Sequence, residues 1–445
     1  MRLRVGTLYE VLTSCFLLIC CFYLLGVSKY SVFASLMSFF LYFFYRYNQT
    51  FFSFLYALYV FIVFTLPVFF LSANIGVDYS TYTSYSEYAL YYISSYVFIT
   101  VATYQIVTFN KHKYQYRAFQ MFYSCGCDTI KCRLNVLTII LLLSVLAKYY
   151  LHSISHFRML DPGQVSGTVS YLKIISQFDF LVLLSLGYYW KNGFRDIVRK
   201  YYVLTITVSM LSAAYSGSRY LFIFIFIILF YNHFHYFRSK FLIFSPVAVF
   251  IMMIFPILGI YRGSGYSLGL FESVNIAWNS VDIISNSIAI FIDRLNYVGV
   301  VSVVVEAYKD NSSFLYGYLD NFIGLIPRLV WPEKPIIGTD LNALGIQLGI
   351  LDGQNTNTSI GLTAIGESYY QLREFGLVMA IFQGVVFGLL ERVQASKSIL
   401  SHVYYFYIVT FLLFLDSYVT FLPLLLQMSM FLFIFVYWFN KPITR

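Results

Sequence analysis

The feature that most constrains this sequence is a series of uncharged, strongly apolar runs that recur along almost its whole length. Each run is about 15 to 22 residues long, which is the length of a helix that crosses the hydrocarbon core of a bilayer. Only 11% of the 445 residues are charged, against about 25% in soluble domains. The chain therefore has too little polar surface for a soluble protein, and we predict a polytopic membrane protein.

The apolar runs predict an all-α fold with about twelve transmembrane helices. Helices are expected because lipid offers no partners for unpaired backbone groups, and because the runs lack the alternation of barrel strands. The predicted spans are residues 8–26, 30–46, 51–73, 88–109, 134–151, 169–190, 201–215, 220–237, 241–259, 375–391, 399–415 and 418–438.

The charged residues orient these spans. Most Lys and Arg side chains fall in the loops on one side, whereas the short loops on the other side carry acids such as Asp78, Glu87 and Asp161. The positive-inside rule therefore places both termini in the cytoplasm. The net charge of +9 follows from this bias, so we expect membrane lipids and no nucleic acid among the partners.

One long polar break divides the chain into residues 1–260 with nine spans, a large outer loop over 261–374, and residues 375–445 with three spans. The loop contains a helical stretch over 280–308. If residues 287–305 crossed the membrane, Asp293 and Arg294 would be buried at a cost of about several kcal/mol unless paired. We therefore expect this helix to lie on the outer membrane interface.

The loop contains a proline-rich segment over 326–335. Its prolines exclude a regular helix and fix an extended path, which can hold Arg328, Trp331 and Lys334 together beside an anionic head group and a sugar. A stiff connector with its Trp at the lipid interface is an equally good interpretation. Arg262, Arg294 and Arg373 are further candidate anion ligands.

Two more residues are candidates for chemistry. Arg219 follows a Ser-Gly-Ser turn between two short spans, where a guanidinium would bind phosphate oxygens through its forked donors, although it can also snorkel to lipid head groups. Glu367 lies just before the tenth span, where partial burial would make it a better proton acceptor. A purely structural role, in which it pairs with Arg373 or caps a helix, is the alternative that the sequence slightly favours.

No cofactor or metal site is expected. The spacing of Cys125, Cys127 and Cys132 fits no zinc pattern, and no phosphate-cradling glycine motif is present. Lys173 and Asp179, near and inside the sixth predicted span, are either a buried polar pair or a ligand contact.

The span layout and four local signatures resemble the Wzy-type O-antigen polymerases, the oligosaccharide repeat-unit polymerases of the bacterial envelope. The signatures are Ser216-Gly217-Ser218-Arg219, Tyr261-Arg262-Gly263, Ile326-Pro327-Arg328 with Trp331-Pro332-Glu333-Lys334-Pro335, and Gly366-Glu367-Ser368-Tyr369 with Phe375-Gly376. The paired Arg-x10-Gly repeats of some members are not found here.

The resemblance implies a GT-C-like, metal-independent glycosyltransferase of the inner membrane whose active site faces the periplasm. It would transfer a growing glycan from undecaprenyl pyrophosphate to the non-reducing sugar of the next lipid-linked repeat unit. The family alone implies a chain-length regulator as a partner. Arg219, Arg262 and Arg328 would stabilise the departing pyrophosphate, with Arg294 and Lys334 as supporting cations and Glu367 as the base.

Two other functions remain open. An O-antigen ligase shares the topology and the cationic loop, but it often uses a loop histidine, and residues 262–374 contain none. A flippase of lipid-linked oligosaccharides also fits about twelve spans, but paired halves are usual in carriers and no internal repeat is evident.

Overall fold

The computed structural model describes residues 29–72, 84–108, 127–157, 175–215, 219–237, 269–279, 296–310, 341–350, 362–394 and 399–414, with a few isolated positions between them. Regular structure in these residues is entirely helical. The α-helices are α1 (Lys29–Asn48), α2 (Phe51–Val60), α3 (Leu66–Ser72), α4 (Glu87–Thr108), α5 (Cys127–Phe157), α6 (Phe178–Lys191), α7 (Arg195–Tyr215), α8 (Arg219–Phe237), α9 (Leu270–Asn279), α10 (Tyr297–Tyr308), α11 (Leu341–Gln347), α12 (Thr363–Leu372), α13 (Leu377–Gln394) and α14 (Ile399–Phe414).

The protein is an all-α membrane protein. Four helical segments in the described residues are long and apolar enough to cross a bilayer, namely Phe51–Phe69, Glu87–Thr108, Ile130–Leu151 and Thr363–Arg392. The helices predicted over 30–46, 201–215 and 399–415 are also confirmed as helices. The predicted spans 8–26 and 418–438 and most of 241–259 lie outside the described residues.

The third predicted span, residues 51–73, is helical throughout its described part but changes its winding near Pro67. A π-helical segment, Phe61–Thr65, separates α2 from α3, and the Leu66 N–H bonds to Phe61 O. Pro67 has no N–H to donate and would clash with an upstream carbonyl in a regular helix. A wide turn just before a proline is a usual way to absorb that mismatch.

The pair α4 and α13 makes the most extensive helix contact among the described elements. Gly384 allows this, because a Cβ there would lie 2.5 Å from the Thr100 carbonyl oxygen. Gly388, one turn later, similarly faces Val107. Small residues four apart let two membrane helices approach closely. The helices run in the same direction, since Arg392 at the end of α13 donates to the Val107 carbonyl near the end of α4.

Helices α5 and α6 pack against each other around a buried ion pair. Lys148 Nζ lies 2.5 Å from Asp179 Oδ2, and the two side chains are 6% and 0% exposed. Ser144 Oγ donates to the Ser176 carbonyl and to Asp179. Each charge therefore has its counter-charge inside the bundle, which lowers the cost of burying it.

Asn232 on α8 joins four helices and contacts α6 beyond its first turn. Its Nδ2 donates to the Leu183 carbonyl on α6 and to the Tyr202 hydroxyl on α7, and its Oδ1 lies 3.2 Å from His402 Nε2 on α14. Gly187 lies directly against the Asn232 side chain. The network fixes the mutual register of α6, α7, α8 and α14.

Helix α10 lies within the predicted outer loop but is largely enclosed by protein. Its residues from Val298 to Val305 are buried except Val303, and it packs against α4, α12 and the π-helical segment. This differs from the helix expected on the membrane surface. Residues 280–295 of the predicted stretch lie outside the described residues.

Candidate functional site

The candidate site is built on α12, a short helix with an unusual backbone at both ends. Thr363 at its start has φ of 60°, and Arg373 just after its end has φ of 53° with ψ of −133°. Positive φ is unfavourable for a β-branched or bulky residue and costs about 1–3 kcal/mol. Such strain persists only when the surrounding packing enforces it, and it concentrates at functional sites.

Glu367 lies in the middle of α12 and is fully buried. It is thus more enclosed than the partial burial expected from the sequence. Its neighbour Gly366 packs on α10, where an added Cβ would lie 3.2 Å from Val301. Ser368 shares a hydrogen bond of 3.0 Å with the Tyr92 hydroxyl on α4. The carboxylate is therefore carried by a helix that is held on two sides.

Arg373 links the end of α12 to α10. Its Nη1 donates to the carbonyls of Tyr369, at 3.2 Å, and Tyr370. Its guanidinium also lies 4.6 Å from the centre of the Tyr308 ring. A cation at a helix C-terminus satisfies the last carbonyls and interacts favourably with the helix dipole. The side chain is buried and stabilises the end of α12.

Charged and hydroxyl groups from four segments meet beside the C-terminal end of α12. We call this set the polar rim and define it as Lys29, Ser86, Glu87, Tyr88, Glu306, Lys309, Arg373 and Glu374. Lys29 pairs with Glu87 at 2.7 Å, Lys309 pairs with Glu306 at 2.5 Å, and Ser86 also donates to Glu306. Tyr88 Oη donates to Glu374 Oε1 at 2.7 Å.

The two ion pairs of the polar rim are exposed. The hydrogen bond with Glu87 raises the pKa of Lys29, and the hydrogen bond with Glu306 raises the pKa of Lys309. Both lysines therefore stay charged at neutral pH. Solvent screening makes such pairs weak contributors to stability, so their main effect is to set the charge pattern of the rim.

The structure brings two of the predicted site residues together, because Glu367 and Arg373 belong to one short segment. Trp331 is 40% exposed, and its distance to that segment is not fixed by any described contact. Arg219 is the first residue of α8, but its side chain lies outside what the structure describes. Arg262, Arg294, Arg328 and Lys334 also lie outside the described residues.

The sequence does not identify the partner of Asp179. Lys173, the predicted partner, lies outside the described residues, and the structure pairs Asp179 with Lys148. The available signal was Lys148 itself, a lone cation inside a predicted span. An intramembrane charge generally requires a partner, but only the packing of α5 on α6 identifies which one.

Within the described part of the chain, no group of three or more His, Cys, Asp or Glu side chains is arranged to hold a metal ion. The ionisable groups at the candidate site are carboxylates, tyrosines, lysines and one arginine. This set can bind hydroxyl groups, accept a proton and stabilise an anion.

The fold and the site together define a helical membrane protein with a buried carboxylate beside a polar, tyrosine-rich end of its bundle. Comparisons with protein-family models, curated proteins and solved structures found no match.

Proposed function

We propose that this protein is an oligosaccharide repeat-unit polymerase. It moves a growing glycan from undecaprenyl pyrophosphate to the non-reducing sugar of the next lipid-linked repeat unit. The observation that carries the proposal is the buried carboxylate of Glu367 on a strained helix that ends at the polar rim. A transfer driven by a pyrophosphate leaving group needs a proton acceptor and fixed cations.

The proposal includes twelve spans in a bacterial inner membrane, cytoplasmic termini and a polar rim on the periplasmic side. The described charges support that orientation. Arg392 lies at the opposite end of α13 from Glu374 and donates to the Val107 carbonyl. Lys191 donates to the carbonyl of Tyr231, and the Tyr231 hydroxyl donates to the His402 carbonyl near the start of α14, which begins soon after α13 ends. Cations collect on the cytoplasmic side of membrane proteins.

In the proposed reaction, the acceptor hydroxyl oxygen attacks the anomeric carbon of the donor glycan. The bond from that carbon to the phosphate oxygen breaks, and the pyrophosphate leaves with its negative charge. Glu367 accepts the hydroxyl proton. The cations proposed to stabilise the leaving group are Arg219, Arg262 and Arg328, supported by Arg294 and Lys334, and Trp331 offers its ring to a sugar.

Arg373 acts in this scheme by holding α12 in place. Glu367 is enclosed, so the acceptor reaches it only when α12 shifts. Such a shift would occur by backbone rotation at Thr363 and Arg373. Both residues already have unfavourable φ angles, so rotation there adds the least backbone strain.

The experiment that tests the function uses the purified full-length protein in detergent with lipid-linked repeat units and without nucleotide or added metal. The expected product is a ladder of lengthened lipid-linked glycans. Glu367→Gln should abolish the ladder, whereas the control Glu272→Gln at an exposed position of α9 should not. A wild-type rate in Glu367→Gln would remove Glu367 from the role of base.

The arginines are tested in cells. Arg219→Ala or Arg328→Ala should abolish long chains at unchanged protein level, and Lys should restore them only in part because forked recognition is lost. A deletion strain separates polymerase from ligase. Single repeat units attached to the lipid A core indicate a lost polymerase, and a bare core indicates a lost ligase.

A flippase is the second candidate function, and a specific observation favours it. Helices α10 and α12 are short and packed inside the bundle, like the broken helices that form substrate sites in transporters. The purified protein distinguishes the two functions. A carrier moves lipid-linked units across a vesicle membrane without lengthening them.

A further inference from the structure

Tyr369 carries a buried hydroxyl at the polar rim. The residue is fully buried, and its hydroxyl has no hydrogen-bond partner within the part of the chain that the structure describes. A buried polar atom without a partner is costly and rare. The Tyr369 ring contacts the ring of Tyr88, a member of the polar rim whose hydroxyl donates to Glu374, so Tyr369 lies beside the rim.

The ring of Tyr369 is held firmly. It packs edge-on against Tyr92 at 4.9 Å and against Tyr88 at 6.3 Å between ring centres. The exposed Tyr88 in turn donates its hydroxyl to Glu374. The buried Tyr369 hydroxyl is therefore held in place beside an exposed pair, formed by Tyr88 and Glu374.

The charges around this hydroxyl favour a neutral ligand. Glu87 and Glu306 already have lysine partners, and Arg373 directly precedes Glu374 in the chain. A cationic ligand would be repelled by these positive charges, and an anionic ligand would be repelled by the three carboxylates. Glu374 already accepts a hydrogen bond from a hydroxyl group, that of Tyr88, so a ligand hydroxyl can take the same position.

We propose that Tyr88, Tyr369 and Glu374 form a binding subsite for a neutral, hydroxyl-rich sugar residue. Glu374 accepts a hydrogen bond from one sugar hydroxyl in place of the one from Tyr88. The Tyr88 side chain, released from Glu374, moves aside to uncover the buried Tyr369 hydroxyl, which bonds to a neighbouring sugar hydroxyl, and the exposed Tyr88 ring covers an apolar sugar face. Naming this sugar as the terminal residue of the acceptor rests on the proposed function. The subsite itself does not.

The test uses the full-length protein in lipid nanodiscs and saturation-transfer difference NMR with the methyl glycosides of glucose, galactose, mannose and rhamnose. At least one glycoside should bind the wild type. Tyr369→Phe and Glu374→Gln should each weaken that binding about fivefold or more, which is the effect of losing one hydrogen bond. Tyr91→Phe is the matched control, because Tyr91 lies on the same helix as Tyr88 but is 72% exposed.

Tyr369→Phe removes a single oxygen that has no described partner, so an unchanged thermal midpoint separates lost binding from lost folding. The subsite is refuted if no glycoside binds the wild type, or if both variants bind as the wild type does. The polymerase assay gives an independent readout. If glycoside binding depends on Tyr369 and Glu374 but the protein lengthens no glycan, the proposed subsite stands and the proposed polymerase function is refuted.

Discussion

Arg373 shows how much backbone strain one residue can hold. Its φ of 53° and ψ of −133° belong to a region that glycine occupies readily and other residues avoid. Arg373→Gly and Arg373→Ala both delete the guanidinium, but only glycine relieves the backbone. The glycine variant should therefore be the more stable by about 1 kcal/mol or more, measured as a higher thermal midpoint in one detergent. An alanine variant of equal or greater stability would contradict the strain.

The Lys148–Asp179 pair predicts a strongly non-additive pair of substitutions. Lys148→Met leaves a carboxylate buried without its counter-charge and should destabilise the protein by about 3–5 kcal/mol. Lys148→Met combined with Asp179→Leu should recover most of that loss, because two matched apolar residues replace the pair. The measurement is the thermal midpoint of each purified variant in one detergent. A double variant as poor as the single one would show that the pair does not act as a unit.

At the scale of elements, the contact between α4 and α13 depends on Gly384. A Cβ at that position meets the Thr100 carbonyl oxygen, which cannot move without shifting α4. Gly384→Ala should therefore lower the thermal midpoint by several degrees, an effect of about 1–3 kcal/mol. Gly269→Ala is the control, because the nearest atom to a Cβ at that position is a Glu272 carboxylate oxygen at 3.8 Å. Equal midpoints for both variants would mean that α4 and α13 are not closely packed.

The elements also show where sequence reasoning succeeds. Long apolar runs predicted α1, α4, α13 and α14 within a few residues, because crossing a bilayer requires about twenty consecutive apolar residues. Helices α10 and α12 are too short to give that signal. Their position is decided by contacts such as Gly366 on Val301 and Arg373 on Tyr308, which join segments far apart in the sequence.

The candidate site, like the helices, is predicted by the sequence only in part. Glu367 and Arg373 were recognisable as ionisable residues next to a span, but their depth was not, since burial depends on α10 and α14 packing over α12. Tyr369 belongs to the Gly366-Glu367-Ser368-Tyr369 signature, but nothing in the sequence placed it beside Glu374. Their relation to Tyr88 appears only when α4 and the turn after α12 are brought side by side.

At the scale of the whole molecule, the two ends of the bundle predict different labelling. Single cysteines at Glu306 and Glu374, in a variant without native cysteines, should react with a membrane-impermeant maleimide added outside intact spheroplasts. A cysteine at Arg195, which is exposed at the start of α7, should react only after lysis. Opposite reactivity of the Glu306 and Glu374 positions would contradict a common polar rim.

The partnership of α4 with α13 also has a consequence for synthesis. About 270 residues separate the end of α4 from the start of α13, so a ribosome needs roughly 10 to 60 s to supply the second helix after the first. During that interval the face of α4 around Thr100 and Tyr104 is in the membrane without α13, whose glycines later pack against it. Nascent chains cut short before residue 377 should therefore be recognised by membrane quality-control proteases through this uncovered surface.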